Sequence, residues 1–209
     1  MQQTIFTVGH SNHSREVFIG LLSLHGITAL CDVRSKPYSR FNPQFDCEEL
    51  KRILPDYGIG YLFLGRELGA RSADPACYES GKVQYDRLAR TELFQHGLAR
   101  VRDGMSKGFR IALMCAEKEP LECHRTILVA RHLVALGLDV QHIHANGGLE
   151  SHADALNRLA QMLNLAQEDL FRSAEDLLAD AYHRQGERIA YDAGDSVPLE
   201  AAAARSAAG

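Results

Sequence analysis

The sequence predicts an α/β fold: a three-layer, Rossmann-like domain on a mostly parallel sheet of about five strands. Three observations lead there. Short apolar runs alternate with amphipathic helical segments from Thr4 to Leu163. The runs are apolar throughout rather than alternating with polar residues, as expected where helices cover both faces of a parallel sheet. The chain of 209 residues, 45% apolar and 24% charged, suits one globular domain of this class with an appendage.

Thr4–His10 (TIFTVGH) is the first predicted strand. The helix after it places Val17, Phe18, Leu21 and Leu22 on one face, with Ser14 as N-cap and Gly26 as stop. Ile27–Arg34 is the second strand, and a loop with two prolines and three aromatics follows it (SKPYSRFNPQF). A helix opens at Asp46 with acids in its first turn. Ile59–Gly65 is the third strand, and Arg66–Gly81 reads as a long loop. Phe94, Leu98, Val101 and Met105 then mark the buried stripe of a long helix. Phe109–Cys115 is the fourth strand, HRTILVARHLVALG an apolar helix, Leu138–His144 the fifth strand, and ESHADALNRLAQML an amphipathic helix. The α/β domain is expected over residues 1–165 and a C-terminal helix over 166–185. Residues 186–209, ending in AAAARSAAG, are expected as a mobile tail with little to bury.

Net charge is −4 and the pI about 6.2, so no global basic field points to nucleic acid. No apolar run approaches the roughly 20 residues of a membrane span. The start, MQQTIFTVGHSNHS, lacks the pattern of an export signal. The five cysteines are odd in number and irregular in spacing, which fits reduced thiols in the cytoplasm.

In open α/β sheets ligands bind at the carboxyl ends of the strands. There the sequence places Gly9-His10-Ser11, Asp32-Val33-Arg34, Gly65-Arg66, Cys115-Ala116-Glu117 and His142-Ile143-His144. Cys115 closes a strand, and Cys123-His124-Arg125 opens the next helix. Free N–H groups at a helix start attract anions and lower a thiol pKa, and Arg125 adds a bidentate donor. Three chemistries compete. The thiolate loops of phosphatases and sulfurtransferases set one Cys and one Arg at a fixed short spacing that neither cysteine matches here. Zinc would need about four ligands, for which Cys115, Cys123, His10 and His144 are available. The spacing is no standard knuckle, however, and adjacent Cys123 and His124 are not expected to face one ion, so no metal is assigned. Acid–base or nucleophilic work on a bound anion fits the residue types best. The loop from Arg34 to Phe45 interleaves Arg34, Lys36 and Arg40 with Tyr38, Phe41 and Phe45, a pattern suited to nucleotides or single-stranded nucleic acid.

Taken together, TVGHS, DVRSKPYSRFNPQF, YLFLGRELGA, ALMCAEKEPLECHR and VQHIH resemble the domain-of-unknown-function family 488 (DUF488) over residues 4–145. The resemblance implies a small cytoplasmic protein and carries no reaction. Its pattern falls on Gly9, His10, Ser11, Asp32, Arg34, Pro37, Ser39, Leu68, Gly69, Cys115, Glu117, Cys123, His124 and Arg125. The expected function is an enzyme for a small anionic, nucleotide-like or nucleic-acid-derived substrate. Cys115, Glu117, Cys123, His124, Asp32 and His10 would be catalytic, and Ser11, Arg34, Ser39 and Arg125 would bind substrate. The alternatives are a non-catalytic nucleic-acid or protein-binding module, and a metal or redox protein using Cys115 and Cys123. The sequence names no cofactor and no oligomeric state.

Overall fold

In the computed structural model, residues 3–165 and 172–193 are described. The elements are β1 (Thr4–Gly9), α1 (Arg15–Leu24), β2 (Ala29–Asp32), α2 (Cys47–Ile53), β3 (Gly60–Phe63), β4 (Tyr78–Glu79), β5 (Lys82–Val83), α3 (Tyr85–Ala89), α4 (Glu92–Ser106) and β6 (Ile111–Cys115). A π-helical segment, Arg125–Ala130, runs into α5 (Arg131–Ala135). β7 (Asp139–Ile143), β8 (Leu149–Ser151), α6 (His152–Met162) and α7 (Ala174–Ile189) complete the order.

Six strands form the main sheet in the order β3-β2-β6-β1-β7-β8. The five predicted strands are those that run parallel, and β8 returns antiparallel to β7. β8 escapes sequence reading because it is three residues long and follows a tight turn at Gly147. The pleat sorts β6 between two cores. Ile111, Leu113 and Cys115 face Leu98, Val101 and Leu133 from α4 and α5. Ala112 and Met114 face Phe18, Leu22 and Leu50 from α1 and α2. The predicted stripe of α4 is buried along its length, and Ser14 caps α1 as expected. Asp46, by contrast, caps nothing: its Oδ1 accepts from the backbone N–H of Ser39, 2.8 Å away, and ties down the loop after β2.

The C-terminal helix begins at Ala174, where Ser173 and Asp176 form a reciprocal capping box. It reaches Ile189 because its last turns are anchored: Gln185 Nε2 donates to Leu121 O at 2.6 Å, and Arg188 pairs with Glu122. Of the expected tail over 186–209, residues 186–189 belong to α7; residues 194–209, and 166–171, lie outside the described residues.

A buried chain of polar groups also ties α7 to the sheet. Thr7 Oγ1 meets His142 Nδ1 at 2.8 Å, His142 Nε2 meets His152 Nδ1 at 3.0 Å, and His152 Nε2 meets the Tyr182 hydroxyl at 2.7 Å. Burial pushes His142 well below its ordinary value and His152 down to about 4. Both are therefore neutral in the folded chain, whereas the unfolded chain protonates them from about pH 6.5 downward. The unfolded state binds more protons in that window, so stability should fall between about pH 6.5 and 4, with a slope of up to about 1.4 kcal/mol per pH unit for each histidine. Urea midpoints across this range test it. A flat profile, or one of equal slope in a His152→Gln variant, would exclude the histidine chain as the cause.

Candidate functional site

The central strands end level: Gly9 is in register with Cys115, and Asp32 with Met114. Beyond the strands the ladder continues, as His10 N donates to Cys115 O and Ser11 N to Ala116 O, both at 2.9 Å. This draws the loop after β6 hard against the end of β1. A Cβ on Gly9 would lie 1.9 Å from Glu117 O, so only glycine admits the approach.

The loop delivers Cys123 beside Cys115. His124 Nδ1 lies 3.7 Å from Cys115 Sγ and 3.8 Å from Cys123 Sγ, and the three ligand atoms are all within 4.8 Å of one another. Neighbours in sequence converge because the backbone changes state between them. Cys123 is extended (φ −136°, ψ 139°), and His124 is already helical (φ −59°, ψ −24°). Cys123 acts as a sulfur N-cap, its Sγ 3.4 Å from the Arg125 N–H. The π-helical geometry of the following turn, common at functional sites, shapes this corner. His124 Nε2 is 3.0 Å from Val33 O, which accepts the proton of that nitrogen and turns Nδ1 toward the sulfurs. Glu117 is exposed at the rim, yet its carboxylate reaches back to within 3.0 Å of Cys123 Sγ.

These contacts shape the charge. Burial opposes ionisation of Cys123, but the hydrogen bond from Cys115 and the positive Arg125 and His124 hold its thiol well below the usual range. Cys115 keeps its proton, pushed up by burial and by Cys123. Burial and the Cys123 sulfur raise Glu117. Burial pulls His124 down, but Cys123 outweighs it and leaves the imidazole above its ordinary value.

Arg125 faces inward. It is 0% exposed and donates through Nη1 to Glu117 O at 2.7 Å and through Nη2 to Lys118 O at 3.3 Å. Nε has no partner among the described residues, nor has the guanidinium a carboxylate. Beneath it lies a second buried network. Asp32 accepts from Arg34 Nε at 2.9 Å, Arg34 Nη2 at 2.7 Å and the Tyr61 hydroxyl at 2.7 Å. Arg34 also donates to Phe45 O at 2.7 Å and meets His10 Nε2 at 3.1 Å. Burial opposes the Arg34 charge, and the Asp32 carboxylate more than restores it. His10, stacked on Phe45, is lowered to about 4 by burial and by Arg34.

A cavity of about 300 Å³ opens over Cys115, Glu117 and His124. Its lining also includes Arg34, Lys36, Arg71 and Tyr85, and Ile189 and Tyr191 at and just past the end of α7. The sequence-predicted residues thus divide into groups. Cys115, Glu117, Cys123 and His124 form one cluster. Asp32, Arg34 and His10 form the layer that supports it, joined through Val33 O to His124. Ser11 holds a left-handed turn (φ 48°) at the end of β1, and Ser39 Oγ accepts the backbone N–H groups of Phe41 and Asn42 in its own loop. In that loop Phe45 is buried, while Phe41, under the Arg40 guanidinium, is 76% exposed. Sequence reading missed Arg71 and Tyr85. The Tyr85 hydroxyl is buried without a partner among the described residues, and its tyrosine borders the cavity. Arg71 comes from the segment read as a long loop and Tyr85 from the stretch after it, and only the tertiary fold brings them to the cluster.

A family model described as domain of unknown function DUF488 matches residues 14–132. Neither a curated protein nor a solved structure matches the chain.

Proposed function

Since the chain belongs to the DUF488 family, whose description assigns no reaction, we propose from the site itself that it is an enzyme acting on a small anionic, nucleotide-like substrate. One observation carries the reading: a cavity of about 300 Å³ at the strand ends is lined by Arg34, Lys36 and Arg71 together with Cys115, Glu117 and His124. That size is at the lower end for ligand pockets, and three cations among the lining residues fit an anion held near the thiol and imidazole. Lys36 and Arg71 have donors to give it, whereas those of Arg34 are committed to Asp32, Phe45 and His10. The unpartnered Tyr85 hydroxyl adds a neutral donor. Glu117, at the rim, is the group placed to move a proton. Asp32 and His10 are positioning residues that act through Arg34. Five free thiols suit a reducing compartment, and we place the protein in the cytoplasm. Among the described residues no helix is long and apolar enough to cross a membrane.

Calorimetric titration with phosphate, pyrophosphate and nucleoside phosphates tests the reading. A salt-sensitive complex is expected, weakened about 10- to 100-fold by Arg71→Ala, the value of a charge-assisted hydrogen bond. The Arg71 guanidinium lies 4.0 Å over the Tyr191 ring, a contact worth about 0.5–1 kcal/mol at an exposed site, so the thermal midpoint should fall only slightly. The proposal fails if no anion binds, or if Arg71→Ala and Lys36→Ala bind as the parent does. A single-stranded oligonucleotide bound through Arg40 and Phe41, indifferent to Arg71→Ala, would replace it by a binding module.

A further inference from the structure

We infer that Cys115, Cys123 and His124 form a binding site for a divalent transition-metal ion of the zinc class, with its open position toward the cavity. The site itself stands on its own geometry; only its role in chemistry rests on the anionic-substrate reading.

Four observations converge. First, the donor set is two sulfurs and one imidazole nitrogen, which favours zinc and its neighbours over magnesium or calcium. Second, the spacing suits one ion. Bond lengths of about 2.3 Å to sulfur and about 2.0–2.1 Å to nitrogen at a tetrahedral angle put sulfur and nitrogen about 3.6 Å apart. The separations here are 3.7 and 3.8 Å. Third, the supporting contacts are those a metal site needs. Val33 O receives the far ring N–H of His124, which leaves Nδ1 free for the ion. The Arg125 N–H, 3.4 Å from Cys123 Sγ, steadies that sulfur. Fourth, the ligands are 2%, 1% and 6% exposed, so water competes little, while Cys115 and His124 border the cavity. Three protein ligands with a fourth position open mark catalytic rather than structural zinc. Here that position meets the cavity, and the Glu117 carboxylate, 3.0 Å from Cys123 Sγ, stands beside it. An ion in this place would polarise a substrate oxygen or a water molecule, with Glu117 as proton acceptor. The extended backbone at Cys123 turns its sulfur and the adjacent His124 Nδ1 toward one point, 3.8 Å apart, so adjacency in sequence is no bar to a shared ion. His10 and His144, the histidines first considered, are held elsewhere, by Arg34 and by Glu150.

The full chain, purified without an affinity tag, should carry about one zinc or iron ion, counted by elemental mass spectrometry. Exchange into cobalt(II) should give a thiolate-to-cobalt charge-transfer band and the strong visible absorption of tetrahedral cobalt. X-ray absorption at the zinc edge should find sulfur at about 2.3 Å and nitrogen at about 2.0–2.1 Å. Cys115→Ser, Cys123→Ser and His124→Ala should each weaken metal binding at least about 10-fold. If these variants fail to fold, the two spectra of the unaltered chain decide. The inference is overturned if cobalt gives no charge-transfer band, or if a folded Cys115→Ser/Cys123→Ser variant retains its metal. Phosphate titration of the same samples separates the two proposals. Arg71-dependent phosphate binding by a chain that takes up no metal overturns this inference and leaves the anionic-substrate reading standing. A chain that binds metal but no anion does the reverse.

Discussion

Asp32→Ala should destabilise the protein by about 3–5 kcal/mol, because it strands the Arg34 guanidinium in the interior without a counter-charge. Asp32 is 0% exposed and Arg34 5%, and the carboxylate also receives the Tyr61 hydroxyl and the Arg34 backbone N–H. Four donors lose their acceptor at once. The loss should also reach the site, since Arg34 meets His10 Nε2 and holds the Phe45 carbonyl. Replacing both partners with apolar residues, as in Asp32→Leu/Arg34→Met, should recover most of the stability, since a buried pair gains little over a well-packed apolar one. Urea unfolding of the two variants separates the cases. Equal losses in the single and the double variant would show that the pair does more than neutralise itself.

The second large effect is expected at Arg125. Its guanidinium fills a fully buried space and satisfies the carbonyls of Glu117 and Lys118, so it shapes the loop that carries Glu117 and delivers Cys123. Arg125→Ala leaves a void and two carbonyls without donors, at a cost of about 3–5 kcal/mol. Arg125→Lys keeps a charge but cannot span both acceptors, so it should stay folded while the loop loosens. Hydrogen exchange gives the discriminating result. In Arg125→Lys the amides of residues 116–123 should lose protection while those of β1 and β6 keep theirs. Unchanged protection in that loop would mean that Gly9 and the continued β1–β6 ladder alone define it.

Much of this was legible in the sequence, and the exceptions share a cause. Continuous apolar runs disclose parallel strands, because burial on both faces leaves no other pattern. The rule that strand ends carry chemistry then picks out Cys115, Glu117 and Asp32 without any structure. Residue type does not disclose what a charged side chain faces. Arg34 and Arg125 read as anion donors, but Arg34 is engaged by Asp32, Phe45 O and His10, and the two terminal nitrogens of Arg125 by loop carbonyls. Nor does spacing disclose that Cys123 and His124 turn toward one point, since that depends on a single extended residue before a helix. Arg71 and Tyr85 stay hidden for a third reason: each joins the site only by packing from a distant segment.

The end of α7 carries a further consequence. Ile189 and Tyr191 border the cavity, yet both lie well beyond residues 14–132, where the family match ends. The lining of the cavity is thus written in two stretches of the chain, its cations and its thiol, imidazole and carboxylate within the family match and Ile189 and Tyr191 beyond it. On the anionic-substrate proposal, a protein that kept the first stretch and exchanged the second would keep its reactive groups and admit a different guest. Selectivity in such a molecule is a replaceable panel, fastened here by Gln185, Arg188 and the hydroxyl of Tyr182.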